Sequence, residues 1–339
     1  MLRSVSKLPW LIPPAAVLLV PENLPIYVPS NQQKEAALQL LASVFPKPER
    51  STQLGRYAQW LALPASHGFS LLATGLADQP PSAALLYQIL PGNVALLWPP
   101  GLVENVPWQT SVAPLLLHAH NQLKSAGVQL SQFLLPDLGE QIAYQEGLVS
   151  TLKNAGYHSL ARLLYLYVSD QESPFPTSAP TPKNCSLLPA SQFTTPQLHD
   201  LVEQTYIDTQ DCPAMNGLRS TDQVLAGYRS AGTCEDRFWF VATDQNRQPI
   251  ACLLLAPDTN NHSCELVYVG VIPEARGRGV AGDLVSWAKW QAKSAGCSQL
   301  LLAVDDQNLP GLKLYQRHGF QSFDAREVYI HSLSPQTGS

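Results

Sequence analysis

The chain has 339 residues, 45% of them hydrophobic and only 14% charged. That length exceeds what one hydrophobic core usually serves, so two domains are expected. The formal net charge is -5 and neither half of the chain is basic, which excludes the electrostatic footprint of a nucleic-acid-binding protein.

The apolar run at residues 8–20 is interrupted by Pro9, Pro13 and Pro14. It is shorter than the about 20 residues a bilayer-spanning helix needs, and no small-x-small cleavage site follows it. A cytoplasmic protein without membrane contact is the expectation. Residues 31–44 then place Ala36, Leu40, Leu41 and Val44 at helical spacing with Asn31 as cap, and 53–63 form a second helix closed by Pro64. Strands are predicted over 69–74, 83–90 and 94–98, the last two joined by Pro91-Gly92-Asn93. A long helix over 109–125 ends at Gly127. A short strand over 132–135, a helix over 142–155 closed by Gly156, and a strand over 160–168 complete this half.

Residues 173–182 hold four prolines and nothing to bury, which marks a linker. The order then repeats. Helices are predicted over 195–206, led by Thr195-Pro196, and over 220–230, where Ser220 and Gln223 form a capping box. Strands over 238–243, 250–256 and 265–271 precede a long helix over 279–295, a strand over 299–304, a helix over 309–318 closed by Gly319, and a strand over 327–331. Two helices, three strands, long helix, strand, short helix and strand thus occur twice, which reads as a duplicated α/β unit with halves at 1–170 and 191–335 and a linker at 171–190. The six cysteines lie in the second half without close spacing and read as reduced packing residues. His118 and His120, two apart on a helix, do not share a face, and no metal is assigned.

The informative segment runs from Val269, Gly270 and Val271 through Pro273 to Arg276, Gly277, Arg278, Gly279, Val280 and Ala281. A strand passes through a glycine turn into the long helix. Such a turn aims free N–H groups into one concavity at the positive end of the helix dipole, where phosphate oxygens bind. The two arginines add positive charge at its rim.

Here the chain resembles the GNAT acyl-CoA N-acyltransferases, whose phosphate loop reads Arg/Gln-x-x-Gly-x-Gly/Ala. A second signature of that superfamily, an Asn followed by a helix ending Leu-Tyr-x-x-x-Gly-Phe, matches Asn308 to Phe320. The resemblance implies a two-domain α/β (α+β) fold, each domain a mixed, mostly antiparallel sheet flanked by helices. It implies acetyl-CoA as co-substrate, its pyrophosphate on Gly277 to Ala281 and its pantetheine arm along Val269 to Val271 and near Asn308. Tyr315 would protonate the leaving thiolate, and Glu265 would be the general base. The acceptor would be a small-molecule or peptide amine, met by the loop carrying Tyr206, Asp208, Asp211 and Asn216. Oligomeric state is left open. A non-catalytic acyl-CoA-binding or regulatory protein is the alternative.

The first half departs from this pattern. Its corresponding loop, residues 99–108, has one glycine, no arginine and the acidic Glu104. Residues 152–157 echo 314–320, but the phosphate site looks degenerate, and this half is expected to pack against the other and wall the acceptor groove.

Overall fold

A computed structural model describes residues 24–76, 79–139, 141–231 and 236–333; the apolar run at 8–20 and Cys234 lie outside them. The first half runs β1 (Ile26–Tyr27), α1 (Asn31–Ser43), α2 (Arg50–Ala62), β2 (Phe69–Thr74), β3 (Ala83–Leu90), β4 (Val94–Leu97), β5 (Gly101–Leu102), α3 (Val112–Ser125), β6 (Leu130–Pro136), α4 (Ile142–Asn154) and β7 (His158–Ser169). The second runs β8 (Ser186–Pro189), α5 (Thr195–Tyr206), α6 (Thr221–Arg229), β9 (Trp239–Thr243), β10 (Pro249–Asp258) and β11 (Ser263–Val271). It continues through α7 (Val280–Ser294), β12 (Gln299–Asp305), α8 (Leu309–Arg317) and β13 (Gln321–Ser332).

Capping chemistry sets the helix starts. Ser30 with Gln33, Thr194 with Gln197 and Ser220 with Gln223 form capping boxes. Asn31 and Thr195, expected as caps, are therefore the first helical residues. The stops of α4 and α8 repeat each other: the amides of Tyr157 and Phe320 each bond at 3.0 Å to the carbonyls of Leu152 and Tyr315. A glycine at positive φ precedes each of those amides.

The strands join in one sheet ordered β1-β2-β3-β4-β6-β13-β7-β12-β11-β10-β9-β8, with β5 beside β3. The pairing is mostly antiparallel; β4 with β6 and β11 with β12 are parallel. The centre of this order is not sequential. Strand β7, the last of the first half, pairs with β12 of the second, and β13 pairs with β6 of the first. β7 and β13 also pair with each other. The side chains follow the exchange. Leu166 and Val168 of β7 are buried in the second half's core, and Tyr329 of β13 in the first half's. Each such fully buried side chain contributes about 1.5–3 kcal/mol. β13 is much longer than the predicted 327–331, because its early residues pair with β7.

In the second half, α5 and α6 cover one sheet face and α7 and α8 the other. The proline-rich segment is not bare, contrary to expectation. Phe175 is buried in the second core, under the Lys289 ammonium at 5.2 Å from its ring centroid. Asp283 of α7 accepts from the amides of Lys183 and Asn184 at 3.0 and 2.9 Å.

Candidate functional site

Strands β11 and β12 start as neighbours and separate. Their pairing covers only Ser263–Glu265 with Gln299–Leu301, while β11 stays bonded to β10 through Val271. From Leu266 onward β11 therefore offers an unpaired backbone edge to the gap, and such groups need partners. The gap is a cleft of about 200 Å³ lined by Leu266 to Val271, Ala303, Asn308, Pro310 and Tyr315. The register with β10 slips between Leu254 and Leu255, so that Val267 is the extra residue of a bulge. Val267 and Tyr268 consequently share the α5/α6 face, against period-two alternation.

The glycine turn lies at the end of this edge. Gly277 and Gly279 adopt φ of 73° and 85°, which glycine reaches without strain. The five amides from Gly277 to Ala281 find no acceptor among the described residues. Five consecutive free donors at the N-terminus of a 15-residue helix form an anion site. Arg276 does not stand at its rim as expected. Its guanidinium donates to the carbonyls of Val271, Thr205, Ile207 and Asp208 at 2.6–3.2 Å, tying the strand exit to the end of α5. Arg278 lines a separate polar groove on the α5 side of the turn.

Asn308 caps α8, its side-chain oxygen accepting from the Gly311 amide at 3.0 Å. It lines the cleft from that position. Tyr315 is 6% exposed, packs edge-on against Phe320 at 5.5 Å, and belongs to the second core while facing the cleft. Burial pushes its phenol well above the ordinary range. Its hydroxyl has no hydrogen-bond partner among the described residues. The pKa of His318, at the end of α8, is pushed down by burial and then by Lys289.

Beyond the bulge lies a second chamber, about 660 Å³, between α5, α6 and their connecting loop. Thr209, Asp211, Val267 and Tyr268 line both spaces and so form the passage between them. Tyr206, Tyr228 and Tyr268 build the chamber's aromatic side. Tyr228 stacks on Tyr268 at 5.1 Å, and the Tyr206 and Tyr228 hydroxyls meet at 2.6 Å. Asn216 donates to the Tyr206 carbonyl at 3.2 Å and closes the loop on α5. Asp208 sits at φ 50° on the cleft side.

Asp211 accepts from the Asp305 amide at 2.9 Å, and the Cys212 amide donates to the Asp305 carboxylate at 3.1 Å. The loop is thus clasped to the end of β12. Although part of Asp211 reaches solvent, the cleft walls desolvate its carboxyl and raise its pKa, and the Asp305 charge acts in the same direction. Oδ2 of Asp211 has no hydrogen-bond partner among the described residues. Glu265 lies on the same sheet face as Tyr268 but before the bulge, and it lines neither space. Among the described residues, no His/Cys/Asp/Glu group has the arrangement of a metal site.

Sequence reasoning missed Tyr268, Tyr228, Thr205 and Arg219. Strict alternation puts Tyr268 with Cys264 and Leu266 on the opposite face; only the bulge turns it toward the chamber. Tyr228 on α6 and Arg219 just before it had helical and loop positions to suggest them, but no motif.

In the first half the equivalent parts are closed. β4 is bonded to β6 over its whole length, leaving no open edge. The amides of Val106, Thr110, Val112 and Ala113 bond back to loop carbonyls. Tyr144 donates to the Pro100 carbonyl at 2.6 Å and packs on Trp108 at 5.1 Å, and Leu152 stands where α8 has Tyr315. This half does not wall the chamber, whose lining comes from the second half alone. It braces the loop from behind: Met215 packs against a cluster in which Val94 and Leu130 of the first half join Val328 and Ile330 of β13, and Gln223 of α6 donates to Gln129 at 2.7 Å.

Residues 201–320 match the acetyltransferase (GNAT) family model. An uncharacterized N-acetyltransferase of Schizosaccharomyces pombe is 30% identical over 95 residues, 28% of this chain and 56% of that protein. The chain therefore spans about half the length of that relative. A GCN5-related N-acetyltransferase from Sphaerobacter thermophilus superposes with a TM-score of 0.58 at 12% identity, over 93% of this chain and 98% of its own. A GCN5-related glucosamine N-acetyltransferase region of a fungal multi-domain β-N-acetylglucosaminidase superposes at 0.57 and 13% identity, covering 92% of this chain and 38% of that one. At these identities the two structures share the fold.

Proposed function

Because the second half of this chain carries a GNAT-family acetyltransferase domain, we propose that the protein transfers an acetyl group from acetyl-CoA to a primary amine on a small molecule. The observation that carries this is the run of five unpartnered amides at the end of an open strand edge. Diphosphate oxygens suit the amides from Gly277 to Ala281, and an extended amide-containing arm suits the free edge at Val269 to Val271. When bound, acetyl-CoA supplies an acyl group activated as a thioester; the amine nitrogen bonds the acyl carbon, the carbon–sulfur bond breaks, and an amide and a free thiol result.

The residues around the passage supply the proton transfers. The amine enters through the chamber and reaches the cleft between Asp211 and Tyr268. Asp211 accepts the amine's proton on its free Oδ2, a role that a raised pKa favours. Tyr315 gives its phenolic proton to the departing sulfur and regains one from solvent. Asp211 thereby takes the role expected of Glu265, which lies outside both linings.

Calorimetric titration with acetyl-CoA is expected to give one site per chain, since among the described residues the first half's loop has no such consecutive run of open amides. Mass analysis of an amine panel is expected to give products heavier by one acetyl group. Two equivalent sites, or binding without acylation of any amine, would overturn this reading, the second outcome in favour of a non-catalytic acyl-CoA-binding protein.

A further inference from the structure

Arg219 has no part in the proton transfers or in holding the acyl donor. It immediately precedes the cap of α6 and lines the chamber without lining the cofactor cleft. Its guanidinium lies against Gly227, with Nη1 3.5 Å from where a Cβ there would lie. Burial lowers its pKa, against the charges of Tyr228 and Tyr206, which are joined through their hydroxyls. No hydrogen bond or ion pair ties the guanidinium to any described residue. The chamber's acids are engaged elsewhere. Glu203 accepts from Thr221 at 2.7 Å and faces His199 at 3.7 Å, and Asp211 is clasped to Asp305. A half-buried guanidinium without an anion carries a desolvation cost that a ligand anion would offset.

We propose that the acceptor is an amine that also carries an anionic group, with Arg219 holding the anion in the chamber while the amine points through the passage at Asp211. The proposal rests on the acetyl-transfer reading for the amine end and on the unpaired guanidinium for the other. A carboxylate and a phosphate are both matched by the planar fork of arginine. An amino acid or an amino phosphate is thus the substrate class, and a neutral amine or amino sugar is a poor one.

The test compares α- and ω-amino acids with their carboxamides, alongside aminoalkyl phosphates and glucosamine, as acceptors in the full chain. Wild type is expected to prefer acids over matched amides in kcat/KM by roughly 10- to 100-fold, the scale of a charged hydrogen-bonded contact. Arg219→Gln is expected to abolish that ratio, mainly through KM, while keeping acetyl-CoA affinity and melting temperature. Arg219→Lys is expected to retain part of it, and decides the matter if the Gln variant fails to fold. Preference for the phosphates would identify phosphate as the anion. Equal use of acids, amides and glucosamine, or an unchanged ratio in Arg219→Gln, would overturn the proposal.

Titration of CoA-loaded protein with N-acetyl amino acids and their amides separates this proposal from the transfer reading. Arg219-dependent binding of the acids without turnover of any amine would keep the anion pocket and remove acetyl transfer. Acetylation without charge preference would do the reverse, and neither binding nor turnover would remove both.

Discussion

Asp211 and Glu265 are two carboxylates on the same side of the sheet whose surroundings give them different work. Asp211 stands in the passage with a free oxygen; Glu265 stands before the bulge. Asp211→Asn retains an oxygen for the Asp305 amide, so the clasp survives while the base is lost. Its kcat is expected to fall by roughly 10²–10⁴-fold, with Glu265→Gln within a few-fold of wild type. A base acts only when ionised, so wild-type kcat/KM should rise with pH on its acid limb. Since the Asp211 pKa is raised, that limb should lie above the ordinary carboxylate range and vanish in Asp211→Asn. Tyr315→Phe belongs to the same experiment: the ring still packs against Phe320, so melting temperature holds while kcat drops by a similar roughly 10²–10⁴-fold. Turnover lost in Glu265→Gln but kept in Asp211→Asn would exchange the two roles. Wild-type kcat in Tyr315→Phe, with chemistry limiting the rate, would leave that phenol a core residue only.

At the scale of elements, the glycine turn and helix α7 act as one device. Gly277 is its testable position, because a Cβ there meets no atom within 4 Å, whereas one at Gly279 would press on the Asn184 side chain at 2.8 Å. Gly277→Gln is expected to weaken acetyl-CoA binding more than tenfold by placing a side chain among the donor amides. The cost in stability should be only about 1–2 kcal/mol, for a left-handed non-glycine residue. Calorimetry and denaturant unfolding measure the two effects, and unchanged affinity in the folded variant would remove the turn as the phosphate site. This device was legible in the sequence because spacing encodes it directly: glycines, then a helix, then Asn308 and Tyr315 on the next one. The chamber was not. Tyr268 reaches it through a bulge that defeats alternation, and Tyr228 and Arg219 through packing of α6 on α5, neither of which leaves a periodic mark. The order of helices and strands was readable from caps and apolar spacing. The exchange of β7 and β13 was not, because nothing in either strand states which edge it will join.

For the whole molecule, that exchange puts a buried polar junction where the halves meet. His120 of α3 bonds to the Tyr157 hydroxyl at 3.0 Å and stacks near His331 of β13 at 4.9 Å. Burial, then the neighbouring His331 and Lys124, depress the His120 pKa to about 4. Between about pH 6.5 and 4 the unfolded chain therefore binds a proton that the folded one refuses, and stability falls as pH falls across that window. For a histidine 5% exposed, the loss is on the order of 3 kcal/mol. His120→Gln, which does not titrate, should lose less stability than wild type between pH 7 and 4.5 in denaturant unfolding. Equal losses would show that His120 is not the sensor. The exchange also bears on how a copy whose strand edge is closed persists in the chain. Severing the chain within 171–190 leaves each piece holding a strand that belongs inside the other's sheet, so neither piece can close its own edges. The closed edge of the first half leaves these pairings intact, whereas loss of that half would strip β12 of one bonded neighbour and β13 of both. A gene built this way can let one copy close its strand edge but cannot let that copy go.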